Sequence, residues 1–185
     1  MSTRVVKPIY CKTALNRTGI GGYQYCLNPY FGCVHGCLYC YADTVLRFSS
    51  CAGKWGEFVA PKVNFPEILG RELRRKRMLS GRIILGTVTD AYQPAEAEFT
   101  LTRDSLKVLA REDPEVEVEI LTKSDLVVRD VDLLRKLRNC SVGFTVTVPD
   151  DRAASVLEPG AAPTSARLRA AAKLIAAGVE VWAFV

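Results

Sequence analysis

Three cysteines fall within eight residues, Cys33, Cys37 and Cys40, in the segment NPYFGCVHGCLYCYAD. The spacing is C-x3-C-x2-C on a glycine-bearing loop, so three thiolates can face one point. Soft sulfur ligands of this kind select zinc, copper(I) or iron–sulfur clusters. Structural zinc takes four ligands and usually joins a C-x2-C pair to a distant second pair, which this sequence lacks. His35, the single histidine, sits between the first two cysteines with little freedom to close a tetrahedron. Most cubane clusters also take four cysteines. A cubane held by three leaves one iron open, and an open iron is a place for chemistry. Cys11, Cys26, Cys51 and Cys140 lack motif spacing and read as buried thiols, with Cys26 and Cys51 also able to stand near the loop.

The elements that position this loop follow from hydrophobic period. Residues 1–25, rich in Gly and Tyr, read as an extended and looped leader to a core spanning 26–185. Pro66 suits a helix's first turn, and Phe65, Leu69 and Leu73 recur four apart up to the basic run at Arg74. Ile83 to Val88 reads as a buried strand. Leu106, Leu109 and Ala110 mark a second helix. Val116 to Leu121 alternates with glutamates, which fits a strand with one wet face near a sheet edge. Asp130 is placed to cap a third helix with Leu133, Leu134 and Leu137 inward. Val142 to Val148 is the next strand. Leu168, Ala171, Ala172 and Ile175 share one face of a fourth helix that Gly178 ends. Val179 to Val185 is a last strand. Strand then helix, repeated, predicts an α/β fold with parallel strands and right-handed crossovers. Because the chain stops inside an apolar strand, VEVWAFV, a further C-terminal portion is expected.

With the loop and the strand–helix alternation both in place, the chain resembles the radical S-adenosylmethionine enzymes, whose C-x3-C-x2-C motif carries an aromatic before its last cysteine, here Tyr39. Thr87-Val88-Thr89-Asp90, Thr122-Lys123-Ser124, Gly143-Phe144-Thr145 and Glu158-Pro159-Gly160-Ala161-Ala162-Pro163 with Arg167 are similar to the spore photoproduct lyase branch, from about residue 26 onward. The resemblance implies a partial (β/α) TIM-like barrel, cut short after about its fifth strand. It implies a [4Fe-4S] cluster on Cys33, Cys37 and Cys40, with S-adenosylmethionine on the open iron and cleaved reductively to a 5′-deoxyadenosyl radical that abstracts substrate hydrogen. It also implies that the Tyr39 backbone contacts the adenine and that Thr89 meets the methionyl amino group. Lys123 would meet the methionyl carboxylate and Thr145 the ribose. Tyr41 is expected in radical transfer, and Asp90 in contact with polar substrate groups or as a helix cap, as is Glu96. An electron donor such as a flavodoxin or ferredoxin is implied. The lyase's hydrogen-donating cysteine lies two residues before the position matched by Thr89, where this chain has Thr87. A hydroxyl O–H is too strong a bond to give hydrogen as a thiol does, so a radical reaction other than dimer repair is expected. The alternative without S-adenosylmethionine is an iron–sulfur or zinc module serving structure or electron transfer.

Composition bounds the rest. At 185 residues, 49% hydrophobic and 24% charged, the chain can bury a core and is not disordered. No apolar run approaches the roughly 20 residues that span a bilayer, and the N-terminus lacks a secretion signal. The expectation is a cytoplasmic domain without a membrane. The net charge of +5 divides unevenly, +9 over residues 1–82 and −4 over the remainder. The basic front, including Arg71, Arg74, Arg75, Lys76 and Arg77, reads as a solvated helix face or as a footprint for nucleic acid, a candidate substrate.

Overall fold

The computed structural model describes residues 5–44, 54–76 and 79–185. Cys51 and Arg77 lie outside the described residues. Nine strands and a set of flanking helices are formed among them.

The main sheet is built from β2 (Asn16–Arg17), β3 (Tyr25–Leu27), β6 (Ile83–Leu85), β7 (Glu117–Thr122), β8 (Asn139–Thr145) and β9 (Glu180–Phe184), in that spatial order. The first pair is antiparallel, and the five strands from β3 to β9 run parallel. Spatial order equals chain order, as successive crossovers of one hand require. A smaller sheet of β1 (Val5–Val6), β5 (Phe58–Pro61) and β4 (Tyr30–Phe31) closes beside it. Residues 16–27 therefore join the main sheet as a hairpin.

Alternation along the strands sorts their side chains. Leu27, Ile83, Leu85, Val118, Ile120, Val142 and Phe144 enter the core beneath the helices. The other set, including Cys26, Glu119, Ser141 and Thr145, faces the opposite side of the sheet. Helix α1 (Phe65–Lys76) buries Phe65, Leu69 and Leu73 as the four-residue recurrence predicts. A one-turn α2 (Glu96–Phe99) precedes α3 (Leu101–Glu112), which buries Leu106 and Leu109. After β7 comes the short α4 (Val131–Leu134). After β8 come α5 (Asp151–Leu157) and α6 (Thr164–Ala176), the latter ended by Gly178 at φ 81°.

Four expectations change. Strand β7 is central, between β6 and β8, and its glutamates are met by cations and hydroxyls: Arg82 Nε lies 2.5 Å from Glu117 and Tyr23 donates to Glu119 at 2.5 Å. The glutamate alternation marks a polar face of an interior strand. Strand β8 runs three residues earlier than its apolar run suggested, because Asn139 pairs opposite Glu117. The third helix is a 3-10 segment, Asp125–Asp130, leading into α4, and Asp130 makes no cap bond. Its buried carboxylate takes Arg103 at 2.6 Å and Arg129 at 2.8 Å, which compete with the cap role. Helix α6 is rotated from its expected face: Leu168 and Ile175 are exposed, while Arg167, Ala170 and Leu174 are buried. A buried ion pair at Arg167 decides that rotation.

Candidate functional site

The cysteine loop begins at β4 and lies over the carboxyl ends of the parallel strands, the edge where open α/β sheets hold ligands. Two glycines let it turn there. Gly32, at φ 77°, leaves no room for a Cβ, which would sit 2.5 Å from the Phe58 carbonyl oxygen. Gly36, at φ 62°, passes Gly56 so closely that a Cβ would be 3.0 Å from its Cα. Cys33 and Cys37 are buried and Cys40 is half-buried.

Strand ends from across the sheet hold this loop. After β6, Thr89 is buried and its hydroxyl donates to the Gly32 carbonyl at 2.6 Å. Gln93 donates to Thr89 Oγ1 at 2.8 Å and to Gly32 at 3.2 Å, and accepts from the Val34 amide at 3.0 Å. Asp90 is also buried, with both oxygens engaged: one takes the Tyr92 amide at 2.8 Å and the Thr122 hydroxyl at 2.7 Å. The other takes the Lys123 amide at 2.8 Å and stands 3.3 Å from His35 Nδ1. Burial alone would push the Asp90 carboxyl up, but the adjoining imidazole and these donors outweigh it and hold it well below the usual carboxylate range. His35 thereby joins the loop to the ends of β6 and β7.

The far side is held by the segment after α5. Gly160 donates to the His35 carbonyl at 2.8 Å, and Leu38 donates to Leu157 at 2.9 Å. Tyr39 donates to Glu158 and lies 2.8 Å from Thr147 Oγ1. Burial first, then the Glu158 carboxylate, raises the Tyr39 phenol above its ordinary value. Glu158 is buried and pairs with the buried Arg167 at 2.6 Å. Arg167 also donates to the Ala162 carbonyl at 2.8 Å and the Thr145 carbonyl at 3.0 Å. One guanidinium therefore ties the end of β8 to the loop through Glu158 and Tyr39. Arg167 lies nine positions after Glu158, and no local period signals that pair. Only the resemblance draws attention to that stretch.

Two of the expected cofactor contacts are uncommitted. Thr145 Oγ1 is buried with no hydrogen-bond partner among the described residues. The Lys123 ammonium lies 5.8 Å from the Tyr39 ring centroid, with no carboxylate paired to it among the described residues. Its charge reaches the cysteines, because it opposes the effect of burial on Cys37. Tyr41, largely exposed, donates to the Thr87 carbonyl at the end of β6. Glu96, expected at the substrate or as a cap, is fully buried; it accepts from the Thr102 amide at 2.9 Å and the Arg103 amide at 3.1 Å in the first turn of α3, and pairs with Arg129 at 2.7 Å. The cap reading is the one the structure gives.

The donor set fits an iron–sulfur cluster. Burial pushes the Cys33 thiol up to about 12 and the Cys37 thiol up to about 11, so thiolates here call for an electropositive group that replaces their protons. Three soft thiolates on one loop are the donors that an iron–sulfur cluster takes.

Comparison with known proteins agrees with this donor set. The family model described as the Radical SAM superfamily matches residues 27–185. An uncharacterized protein of Methanocaldococcus jannaschii is 36% identical over 177 residues, covering 96% of this chain and 65% of its own length. One of Mycobacterium tuberculosis is 31% identical over 180 residues, covering 93% of this chain and 52% of its own. The chain thus spans between half and two thirds of these relatives. In fold it is similar to a spore photoproduct lyase variant with bound AdoMet and dinucleoside spore photoproduct, at TM-score 0.73 and 18% identity over 97% of this chain and 50% of the other. The C-x3-C-x2-C loop over a parallel sheet and the match over residues 27–185 together show that this chain belongs to the radical SAM superfamily, whose members use a [4Fe-4S] cluster and S-adenosylmethionine for radical chemistry.

Proposed function

We propose that this chain carries the cluster and cofactor site of a radical S-adenosylmethionine enzyme, with its five parallel strands forming part of a barrel. Cys33, Cys37 and Cys40 would hold the cluster. A reduced [4Fe-4S] cluster with an open iron supplies the electron that cleaves S-adenosylmethionine to a hydrogen-abstracting 5′-deoxyadenosyl radical. The observation that carries the reading is the division of labour among the strand-end residues. Thr89 gives its hydroxyl to Gly32 of the cysteine loop, and Asp90 is taken up by His35 of that loop, Thr122 and the Tyr92 and Lys123 amides. By contrast, the Thr145 hydroxyl and the Lys123 ammonium have no hydrogen-bond partner among the described residues. We therefore read Lys123 as the partner of the methionyl carboxylate and Thr145 as a ribose contact. In this reading Thr89 positions the loop instead of meeting the methionyl amino group, and Asp90 positions His35 instead of contacting polar substrate groups. Tyr39 presents its backbone to the adenine, and Tyr41 stands where a phenol can relay a radical.

The finer parts of the reading follow from the chemistry. The reaction is lyase-like, and Thr87 in place of a thiol argues against dimer repair. A flavodoxin or ferredoxin would supply the electron. Nucleic acid is the candidate substrate polyanion for the basic front half, and the cytoplasm its setting. Among the described residues no helix is long and apolar enough to cross a membrane. On α1, Arg74 pairs with Glu112 at 2.9 Å and Lys76 donates to the Tyr25 hydroxyl at 3.0 Å, which reduces the charge that face offers a polyanion.

Anaerobic reconstitution with iron and sulfide, followed by EPR of the reduced protein, tests the proposal. A [4Fe-4S] signal that changes on adding S-adenosylmethionine and is lost in Cys33→Ala is expected. Tightly held zinc, or a cluster signal indifferent to S-adenosylmethionine, would return the site to a structural or electron-transfer module.

A further inference from the structure

A cavity of about 410 Å³ opens at the carboxyl ends of β3 and β6, beside the cysteine loop. Its wall includes Asn16, Thr18, Cys26, Tyr41, Lys62 and Thr87. Tyr41 directly follows the last cysteine of the loop, and the Thr87 carbonyl accepts its phenol, so the cavity adjoins the cluster site. Among the described residues that line it, Lys62 is the single charged one and none is acidic.

Lys62 is an unusual residue to find there. It follows β5 directly, and its Nζ donates to the Asn28 carbonyl at 2.7 Å while resting 5.8 Å from the Phe65 ring centroid. An ammonium has three protons to donate, and one acceptor is engaged among the described residues. No carboxylate pairs with it among those residues, and the groups acting on it from nearby are the thiols of Cys11 and Cys26. Burial lowers its pKa, the mark of an ammonium partly stripped of water without a countercharge. Such a charge is costly unless something anionic completes its shell. Asn28 fixes its position, since its side-chain oxygen accepts from the Thr87 and Val88 amides at 3.0 and 3.2 Å.

We propose that this cavity is the substrate pocket and that Lys62 anchors an oxyanion of the substrate, a phosphate or a carboxylate. Tyr41 and Cys26 face the remainder of the molecule. The ammonium supplies charge, the Thr18 hydroxyl, whose oxygen accepts from the Ile20 amide, has its proton left to orient the ligand, and the apolar wall takes a carbon skeleton. A volume of this size accommodates a small metabolite or one nucleotide unit. The assignment as a substrate pocket rests on the function proposed above, whereas anion binding at Lys62 does not.

Ligand-observed NMR of the full chain, without cluster, tests it with inorganic phosphate and acetate as probes. Saturable line broadening is expected, with affinity at least about tenfold weaker in Lys62→Met and retained in Lys62→Arg, since a hydrogen bond to a charged group is worth that much. The tighter of the two probes identifies the oxyanion. On the wild-type chain, phosphate should also slow alkylation of Cys26 by iodoacetamide, mapped by mass spectrometry, relative to sodium chloride at equal ionic strength. Undiminished binding by folded Lys62→Met, or a Cys26 alkylation rate indifferent to phosphate, overturns the proposal. Neither readout depends on cluster loading, so a failure here is distinct from a failure of the EPR experiment.

Discussion

Among the described residues, the Thr145 hydroxyl and the Lys123 ammonium stand at the strand ends without a hydrogen-bond partner, and that idleness has a thermodynamic consequence. A buried hydroxyl without a partner costs roughly 1–3 kcal/mol, and an isosteric apolar replacement removes the cost. Thr145→Val is therefore expected to raise the melting temperature of the cofactor-free chain, read by circular dichroism. The same change should weaken S-adenosylmethionine binding to the cluster-loaded protein. Lys123→Met removes the ammonium that lies 5.8 Å from the Tyr39 ring centroid and leaves an unbranched apolar side chain, so cluster absorbance should persist while cofactor affinity falls about tenfold. A Thr145→Val chain that melts lower would mean that the hydroxyl has a partner in the fold and no ligand to await.

At the scale of elements, the site is a loop pressed between a sheet edge and the segment after α5. Gly160 is where the two touch: a Cβ there would fall within the shell of the Val34 carbonyl oxygen, 3.0 Å from the His35 Cα. Both neighbours are backbone, so neither can swing aside. Gly160→Ala is expected to lift the segment from the loop, lowering the iron retained after reconstitution by half or more, while far-ultraviolet circular dichroism stays unchanged. Full iron retention would show that the contact is incidental. Much of this arrangement is legible in the sequence. The cysteine spacing locates the loop, and the four-residue recurrence at Phe65, Leu69 and Leu73 gives α1 its buried face. The alternation of strands and helices gives a parallel sheet in chain order. The misplaced features share one cause, polar and charged pairs formed by tertiary contact. Asp130 reads as a cap and is held by two arginines; α6 is rotated because Arg167 is buried. The bond from Thr89 to Gly32 and the approach of Asp90 to His35 likewise join residues 55 or more positions apart, which no local pattern signals. A hydrophobic pattern reports burial of apolar groups, and it is silent about a buried ion pair.

Over the whole molecule these charge pairs make acid the natural way to dismantle the site. Asp90 and Glu158 are both buried and both held below their ordinary values of 3.8 and 4.5, Asp90 against the cost of burial by His35 and the surrounding donors, Glu158 against the same cost by Tyr39, Thr147 and Arg167. A carboxyl with a lowered folded-state pKa binds protons more readily in the unfolded chain. Its stabilising contribution is therefore complete above the unfolded value and disappears as pH falls through the folded one. Exposed carboxylates such as Asp132 are screened by solvent and contribute little. The melting temperature should then be flat with respect to the two buried groups above about pH 5 and fall steeply below about pH 4. Asp90→Asn separates the contribution of one group: it should melt lower than wild type at neutral pH, because His35 loses its anion, and decline less steeply in acid. Because Asp90 joins the loop to the end of β7 and Glu158 joins it to β8 through Arg167, protonating both leaves the loop held mainly by the Thr89 and Gln93 bonds after β6. Melting curves of wild type and Asp90→Asn across that pH range, followed by circular dichroism, decide the matter. Parallel curves would show that the acid sensitivity arises elsewhere in the fold.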